Sequence, residues 1–436
     1  MNRFFTTIKN IFSIEDLRIR ILNTVGFLII FRLGSYIVLP GVEYTRLTEN
    51  QGGLLDIVNA FLGGSFSRAS IFALGILPYI SASIVVQLLT VAVPHFAKLQ
   101  KEGESGRKKL NQFTRILTIA ITAAQSYAYL RTTVNAEAII SPGLFFTVSS
   151  IIILISGTMF CVWLGERITD KGIGNGISML IMIGIVSRFP GAIWQEMTGK
   201  GMNQALLFII ELVALFFVVV GVIALTQATR RIPVQYAKQV VGNKLYGGKR
   251  DFIPLKLNSA GVMPIIFAQA LMFIPSMVGG VWKDTDAGAY IVNTFGDFRT
   301  WEYNVLFAVL ILVFTFFYTA ITVPSNDIAE NLKKNGGFVP GIKPGKSTAE
   351  FIDGILSRIT LPGAFFLAVI AILPAFAVKA GITQNFSQFY GGTSLLILVG
   401  VVLDTLQQIE SYLLMRHYEG MMKSGRVKGR SQFAAA

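Results

Sequence analysis

The sequence predicts an all-α polytopic membrane protein with ten transmembrane helices. Hydrophobic residues make up 53% of its 436 residues and charged residues only 14%, whereas a soluble domain carries about 25% charged residues. Ten apolar runs approach the roughly 20 residues that a helix needs to cross a bilayer. Lysine and arginine alternate between high and low numbers in successive connections. These patterns indicate that lipid surrounds most of the chain.

The ten apolar runs follow one another along the whole chain. They lie near residues 21–39, 70–93, 116–130, 146–164, 177–187, 205–228, 260–280, 303–323, 360–374 and 393–410. The fifth run reaches spanning length only if it includes the glycine-rich stretch from Gly172 and the segment to Trp194. A basic, polar segment precedes the first run, which lacks the pattern of a cleavable leader. We therefore expect the first span to stay in the mature protein.

The distribution of basic residues predicts the orientation of these spans. If both termini are cytoplasmic, the inside segments carry 29 lysines and arginines and the outside loops carry 8, while Arg32 lies within the first span. An excess of positive charge marks the cytoplasmic side. We expect a multi-pass protein with both termini in the cytoplasm.

The ten spans divide into an N-terminal half, residues 1–204, and a C-terminal half, residues 205–436. With five spans in each, the second half enters the membrane from the opposite side, so the two can form an inverted repeat. This hypothesis rests on the helix count alone.

The sequence contains no catalytic or metal-binding pattern that we recognise. Phosphate-binding, zinc-protease and serine-hydrolase motifs are absent. Cys161 lies in an apolar run, which is typical of a buried thiol, and His95 and His417 are far apart. We expect no enzymatic activity, no metal and no cofactor.

A short apolar segment lies between the first two spans. Its hydrophobic residues are Leu54, Leu55, Ile57, Val58, Phe61 and Leu62, with glycine pairs on both sides. About ten helical residues extend roughly 15 Å, half of the distance across the bilayer. The segment either enters the membrane partway or lies at its surface as an interfacial helix.

Two pairs of isoleucines share a helical spacing of four residues. The pairs are Ile76 with Ile80 and Ile177 with Ile181. Gly75 and Pro78 loosen the helix at the first pair, and irregular backbone at membrane depth is tolerated where it lines a cavity. The spacing alone is equally typical of packing residues.

Polar side chains also occur in or beside the spans, notably Gln87, Gln125 and Asn258. Such amides often join neighbouring helices through hydrogen bonds. Apart from Asp404 and Glu211, carboxylates are scarce within the spans. This scarcity argues against a proton or ion relay.

Two connections, residues 229–258 and 324–359, are long and basic. Their basic residues include Arg230, Arg231, Lys238, Lys244, Lys249, Arg250, Lys256, Lys333, Lys334, Lys343 and Lys346. Glycines and prolines near Lys343 predict turns that present the basic tip. The charge serves either topology and lipid attraction or the docking of a large acidic partner.

Four stretches of the chain are similar to signatures of the SecY family. They are FSRASIFALGILPYISAS at 66–83, KEGESGR at 101–107, GERITDKGIGNGIS at 165–178 and GGTSLLI at 391–397. With these motifs in order and ten spans, the resemblance extends from about residue 18 to residue 430.

The resemblance implies two inverted five-helix halves around a central pore. A ring of aliphatic residues and a plug helix, residues 53–66, would close this pore. The matching ring positions are Ile76, Ile80, Ile177, Ile181, Ile266 and Ile397. The family also opens sideways at a lateral gate, to which Gln87, Gln125 and Asn258 correspond. Its tip motif usually has arginine where this chain has Lys343, which lacks the planar guanidinium fork.

The resemblance implies a protein-conducting channel in the bacterial plasma membrane. Such a channel secretes unfolded, signal-bearing preproteins and releases hydrophobic segments into lipid. The SecA motor or the translating ribosome would dock on the basic loops and drive transport, with SecE and SecG as partner subunits. Two other classes stay open from the residues alone, namely a ten-helix secondary transporter and a membrane scaffold without a pore.

Overall fold

The chain is mainly helical, as the hydropathy pattern predicts. The computed structural model describes residues 14–47, 59, 62–132, 134, 138–200, 204–236, 239–241, 244–246, 250–281 and 285–423. Its helices are α1 Glu15–Gly34, α2 Leu77–Ala92, α3 Pro94–Lys101, α4 Glu104–Thr132, α5 Leu144–Lys171, α6 Gly176–Lys200, α7 Ala205–Gln227, α8 Met263–Val281, α9 Asp286–Gly296, α10 Trp301–Thr322, α11 Ser325–Lys334, α12 Lys346–Lys379, α13 Gln384–Ser387 and α14 Gly392–Lys423. Each of the ten apolar runs overlaps one of these helices, so the fold class is confirmed.

Six helical stretches in the described part of the chain are long and apolar enough to cross a membrane. They are α5, α6, α7, α10 with its continuation α11, α12 and the first part of α14. A seventh stretch joins α2 to α3 through a bend of 104°. Pro94, the first residue of α3 and separated from α2 only by Val93, removes a backbone donor at this break. The protein is therefore a multi-pass membrane protein.

The described residues form two compact units. One contains residues 14–47, 59–188 and 400–423, and the other contains residues 189–399. The unit boundary at residues 188 and 189 falls within α6. The division into halves at residue 204 stays a prediction.

In the first unit, α1 packs on α5 and α4 packs on both α2 and α5. The ring of Phe72 stacks on Phe31 and on Phe160, with ring centroids 5.9 and 5.8 Å apart. A Cβ atom at Gly157 would lie 2.1 Å from the carbonyl oxygen of Ile71. Glycine at that position lets helix and loop backbones approach closely, as is common in membrane proteins.

In the second unit, α10 packs along α12 and α8 packs on α9 and α10. Gly363 of α12 lies so close to the segment before α8 that an added Cβ would be 2.7 Å from the carbonyl oxygen of Leu257. Small residues again permit the close packing that dispersion forces need in lipid.

Short strands interrupt the helical pattern, and the sequence analysis does not predict them. They are β1 Thr229–Tyr236, β2 Gln239–Val241, β3 Lys244–Tyr246, β4 Arg250–Lys256 and β5 Gly337–Phe338. Strand β1 pairs antiparallel with β4 and with β5, in the order β4-β1-β5, while β2 pairs with β3. The two long basic connections therefore contribute to one sheet.

Candidate functional site

The paired basic connections enclose a small hydrophobic core in the second unit. In β1 the buried residues Ile232 and Val234 alternate with exposed neighbours, as the two-residue period of a strand requires. They pack with residues from β4, α11, the β5–α12 turn and α12. The other buried members of this core are Leu255, Leu332, Val339, Ile352 and Leu356. This core makes the two loops one folded body, which we call the basic cap.

The basic cap presents its positive side chains to solvent. The exposed cations are Arg230, Arg231, Lys256, Lys333, Lys334, Lys343 and Lys346. Lys334 lies 3.9 Å from Glu330 in an exposed ion pair, a geometry that is worth little in water. Lys244 and Arg250 lie in β3 and β4, whereas Lys238 and Lys249 lie outside the described residues. The surface is suited to attract a polyanion or an acidic protein.

The tip of the basic cap is a turn between β5 and α12, as predicted. Gly341 and Gly345 have φ angles of +83° and +108°, which side chains other than glycine rarely tolerate. The hydroxyl of Thr348 donates to the carbonyl oxygen of Lys343 over 2.9 Å. This bond fixes the backbone at Lys343, whose side chain is exposed.

In the first unit, the start of α2 places Ile76 and Ile80 one turn apart. The amide of Ile80 donates to the carbonyl oxygen of Ile76 over 3.1 Å. Gly75 precedes them with a φ angle of +51°, and Pro78 occupies the first turn of the helix, where its missing donor costs nothing. The irregular backbone predicted here is confirmed. Ile177 and Ile181 occupy the first turns of α6 in the same unit.

Of the six hydrophobic side chains predicted for the plug, Leu62 is the one that lies among the described residues, and it packs against Gly75, which directly precedes Ile76. Its side chain is buried and lies so close to Gly75 that an added Cβ would be 2.4 Å from Leu62 Cδ2. Residues 62–66 form turns rather than helix, because the paired glycines Gly63 and Gly64 adopt positive φ angles. The other plug residues, Leu54, Leu55, Ile57, Val58 and Phe61, lie outside the described residues.

In the second unit, a buried hydrogen bond joins the helices that carry Ile266 and Ile397. The hydroxyl of Thr393 in α14 donates to Gln269 Oε1 in α8 over 3.0 Å. Gln269 lies three residues after Ile266 and Thr393 four residues before Ile397, so each isoleucine lies one turn from the bond. The sequence analysis missed this pair, although a glutamine in an apolar span is a signal for it.

The three predicted gate amides lie at separate positions. Gln87 is in α2 and Gln125 is in α4, two helices that pack together in the first unit, and both side chains are exposed. Asn258 lies before α8 in the second unit and is buried. Its Oδ1 atom accepts no hydrogen bond from a described residue, which is a costly arrangement for a buried amide.

A buried ion cluster in the second unit escaped the sequence analysis, apart from the observation of Glu211. Lys200 Nζ lies 2.7 Å from Glu196 and also contacts Glu211. The amide of Thr383 donates to Glu196 Oε2 over 3.0 Å. The hydroxyl of Tyr390 donates to the carbonyl oxygen of Glu211 over 2.6 Å, and burial raises the pKa of that phenol. The cluster joins α6, α7 and the α12–α14 connection.

Comparison with known proteins gives consistent matches over nearly the whole chain. The pattern of the SecY family matches residues 70–406. The protein translocase subunit SecY of Thermotoga maritima is 43% identical over 439 residues, covering 97% of this chain and 99% of the relative. That of Streptomyces coelicolor is 41% identical over 438 residues, covering 96% and 100%.

Solved structures share the fold at much lower sequence identity. A structure described as a protein conducting channel has a TM-score of 0.62 at 15% identity, covering 90% of this chain and 92% of that one. A channel in a canine ribosome-channel complex from the endoplasmic reticulum has a TM-score of 0.58, also at 15% identity and the same coverage. At this identity the likeness concerns the fold.

Proposed function

Because this chain belongs to the SecY family, we propose that it is a protein-conducting channel of the bacterial plasma membrane. Unfolded, signal-bearing preproteins cross the membrane through it, and hydrophobic segments leave it sideways into lipid. The single observation that carries this proposal is identity of 41–43% with translocase subunits over almost the full length of both chains. Both termini lie in the cytoplasm, in accordance with the distribution of basic residues.

The pore closes at a ring of six isoleucines and a plug. The ring consists of Ile76, Ile80, Ile177, Ile181, Ile266 and Ile397. Aliphatic side chains offer no hydrogen bonds, so a narrow ring excludes water and ions while it yields to a passing polypeptide. The packing of Leu62 against Gly75 supports a plug, residues 53–66, whose end lies beside Ile76. Gln87, Gln125 and Asn258 line the lateral gate, where an inserting hydrophobic segment competes with their hydrogen bonds.

The chain itself hydrolyses nothing, and its partners supply the energy. SecA or the translating ribosome docks on the basic cap, whose exposed cations suit an acidic partner or ribosomal RNA. Lys238 and Lys249 lie outside the described residues, but they belong to the same basic connection and are part of the proposed docking surface. SecE and SecG complete the complex within the membrane lipid.

Reconstituted transport tests this proposal. The full-length chain is incorporated with SecE and SecG into lipid vesicles, and SecA, ATP and a signal-bearing preprotein are added outside. We expect preprotein to become protected from protease only when ATP and the signal are both present. Equal protection of a preprotein without its signal, or none with an active SecA, would reject the channel function.

A further inference from the structure

A small, partly open cavity lies in the second unit, at the start of α14. Its volume is ≈ 50 Å³, and a water-sized group needs about 10–15 Å³ of such space. Phe298, Phe307 and Pro374 form apolar parts of the wall. The cavity therefore has room for one small ligand or a few waters, in surroundings that strengthen electrostatic interactions.

Several hydrogen-bond donors converge on this cavity. Helix α14 begins at Gly392, and Gly392, Thr393 and Ser394 all line the cavity. The first backbone amides of a helix have no acceptor within the helix, and they form the positive end of its dipole. A Cβ atom at Gly391 would lie 2.2 Å from the carbonyl oxygen of Ile370 in α12, so the helix start is held close to α12.

The side chain of Gln388 adds an independent donor. Gln388 lines the same cavity and is only 9% exposed. Its Nε2 atom has no acceptor among the described residues. Burying an amide donor without a partner is unfavourable, and a ligand that accepts its hydrogen bond removes this cost.

The lining selects the charge of the ligand. Among the described residues that line the cavity, none is a carboxylate, lysine or arginine, and Gln269 Oε1 already accepts from Thr393. Neutral donors at a helix N-terminus stabilise a negative charge, and in a partly apolar wall a single charge costs less to desolvate than the two charges of sulfate or phosphate. We propose that this cavity binds a small monovalent anion of halide size, held by Gln388 Nε2 and the first amides of α14.

The anion would stabilise the start of α14, which carries Ile397 about one turn further on. The inference does not depend on the transport function, because the cavity is complete within residues 189–399. Bromide is the probe, with gluconate as an anion that is too large for the cavity. The purified full-length complex is titrated with bromide at constant ionic strength while its thermal unfolding is followed.

We expect a saturable rise in the unfolding temperature of the wild-type complex. Gln388→Met keeps the side-chain length but removes the donor, and it should weaken the apparent bromide affinity about tenfold or more. Gln407→Met, at an exposed position of α14 far along the helix from the cavity, should leave the affinity unchanged. General salt effects shift the unfolding temperatures of the wild type and both variants equally, so they cannot explain a difference between the three proteins.

Two results would overturn the proposal. The first is a wild-type unfolding temperature that is the same in bromide and gluconate, as expected if water alone fills the cavity. The second is equal bromide affinity in wild type and Gln388→Met. If the variant does not fold, anomalous scattering from bromide in wild-type crystals decides, because the proposal requires a peak within hydrogen-bond distance of Gln388 Nε2.

Discussion

At the residue scale, Lys343 is an exposed cation whose backbone is held in a defined turn. It occupies the turn at the tip of the basic cap, and Thr348 bonds its carbonyl oxygen. An exposed charge at an interface acts mainly on the rate of encounter. The ammonium group of lysine presents a point charge there, whereas the guanidinium group of an arginine could form two parallel hydrogen bonds to a carboxylate or phosphate.

We predict that Lys343→Glu slows transport roughly tenfold, because it replaces attraction of an acidic partner with repulsion. Assembly of the complex should be unaffected, since the side chain is exposed. Lys379→Glu is the matched control, an exposed lysine at the opposite end of the same helix, α12. Preprotein export in a complementation assay measures both, and normal export by Lys343→Glu would count against docking at the tip.

The bond between Thr393 and Gln269 gives a second residue-level prediction. Thr393→Val keeps the shape but leaves Gln269 Oε1 without its donor, so we expect a loss of about 1–3 kcal/mol in the free energy of unfolding. Thr360→Val is the control, because the equally buried hydroxyl of Thr360 bonds only to the carbonyl oxygen of Leu356 in its own helix. A hydroxyl that bonds back to the preceding turn of its own helix adds no stability, so the loss of this bond should cost little. Denaturant titration of the purified complex compares them, and equal losses would argue against the bond between helices.

At the scale of elements, the sequence predicts the helices well and the basic cap poorly. Hydropathy locates the ten helices because lipid demands long apolar runs whose backbone bonds are satisfied internally. The break before Ile76 is predictable from Gly75 and Pro78. The pairing of β1 with β5 is not, because Gln235 and Phe338 are distant in sequence and neither strand has a long alternating pattern.

The ion cluster is likewise only partly predictable from the sequence. Glu196 and Lys200 have the spacing of a helical pair, so this part is readable in the sequence. Their contacts with Glu211 and Thr383 depend on how three elements pack. The gate amides and the isoleucine ring were assigned from family resemblance, and their roles stay predictions.

We predict that Lys200→Met destabilises the second unit strongly. The change leaves the buried carboxylates of Glu196 and Glu211 without their shared cation, and breaking a buried pair in this way costs about 3–5 kcal/mol. The double variant Lys200→Met, Glu211→Leu should recover part of this loss, because it removes one of the two unpaired charges. Thermal unfolding measures both variants, and a Lys200→Met protein as stable as wild type would reject the cluster as a stabilising contact.

The turn at the tip gives a second prediction for an element. Gly345→Ala places a side chain at a φ angle of +108° and should destabilise the tip by about 1–3 kcal/mol. Gly354→Ala, in the following helix with no atom near its added Cβ, should instead be neutral or stabilising by up to about 1 kcal/mol. Limited proteolysis at the tip distinguishes the two, and equal cleavage rates would contradict the strained turn.

At the scale of the whole molecule, the predicted functional features of the channel are divided between the two compact units. The first unit contains both isoleucine pairs, one at the broken start of α2, where Leu62 packs against Gly75, and the other in the first turns of α6. The second unit contains the basic cap and the helices of Ile266 and Ile397. Family membership connects these parts into one function, since a polypeptide would have to pass the constriction that we propose for the isoleucines.

Site-specific photocrosslinking from Ile80 tests that central claim most directly. A photoreactive residue replaces Ile80 in the full complex in membrane vesicles, and a stalled preprotein is supplied with SecA and ATP. Ile210, an exposed residue in the first half of the apolar helix α7, is the control position. We predict a crosslink from position 80 that requires the signal sequence and is absent from position 210. No crosslink from position 80 while export is active would contradict its place in the constriction.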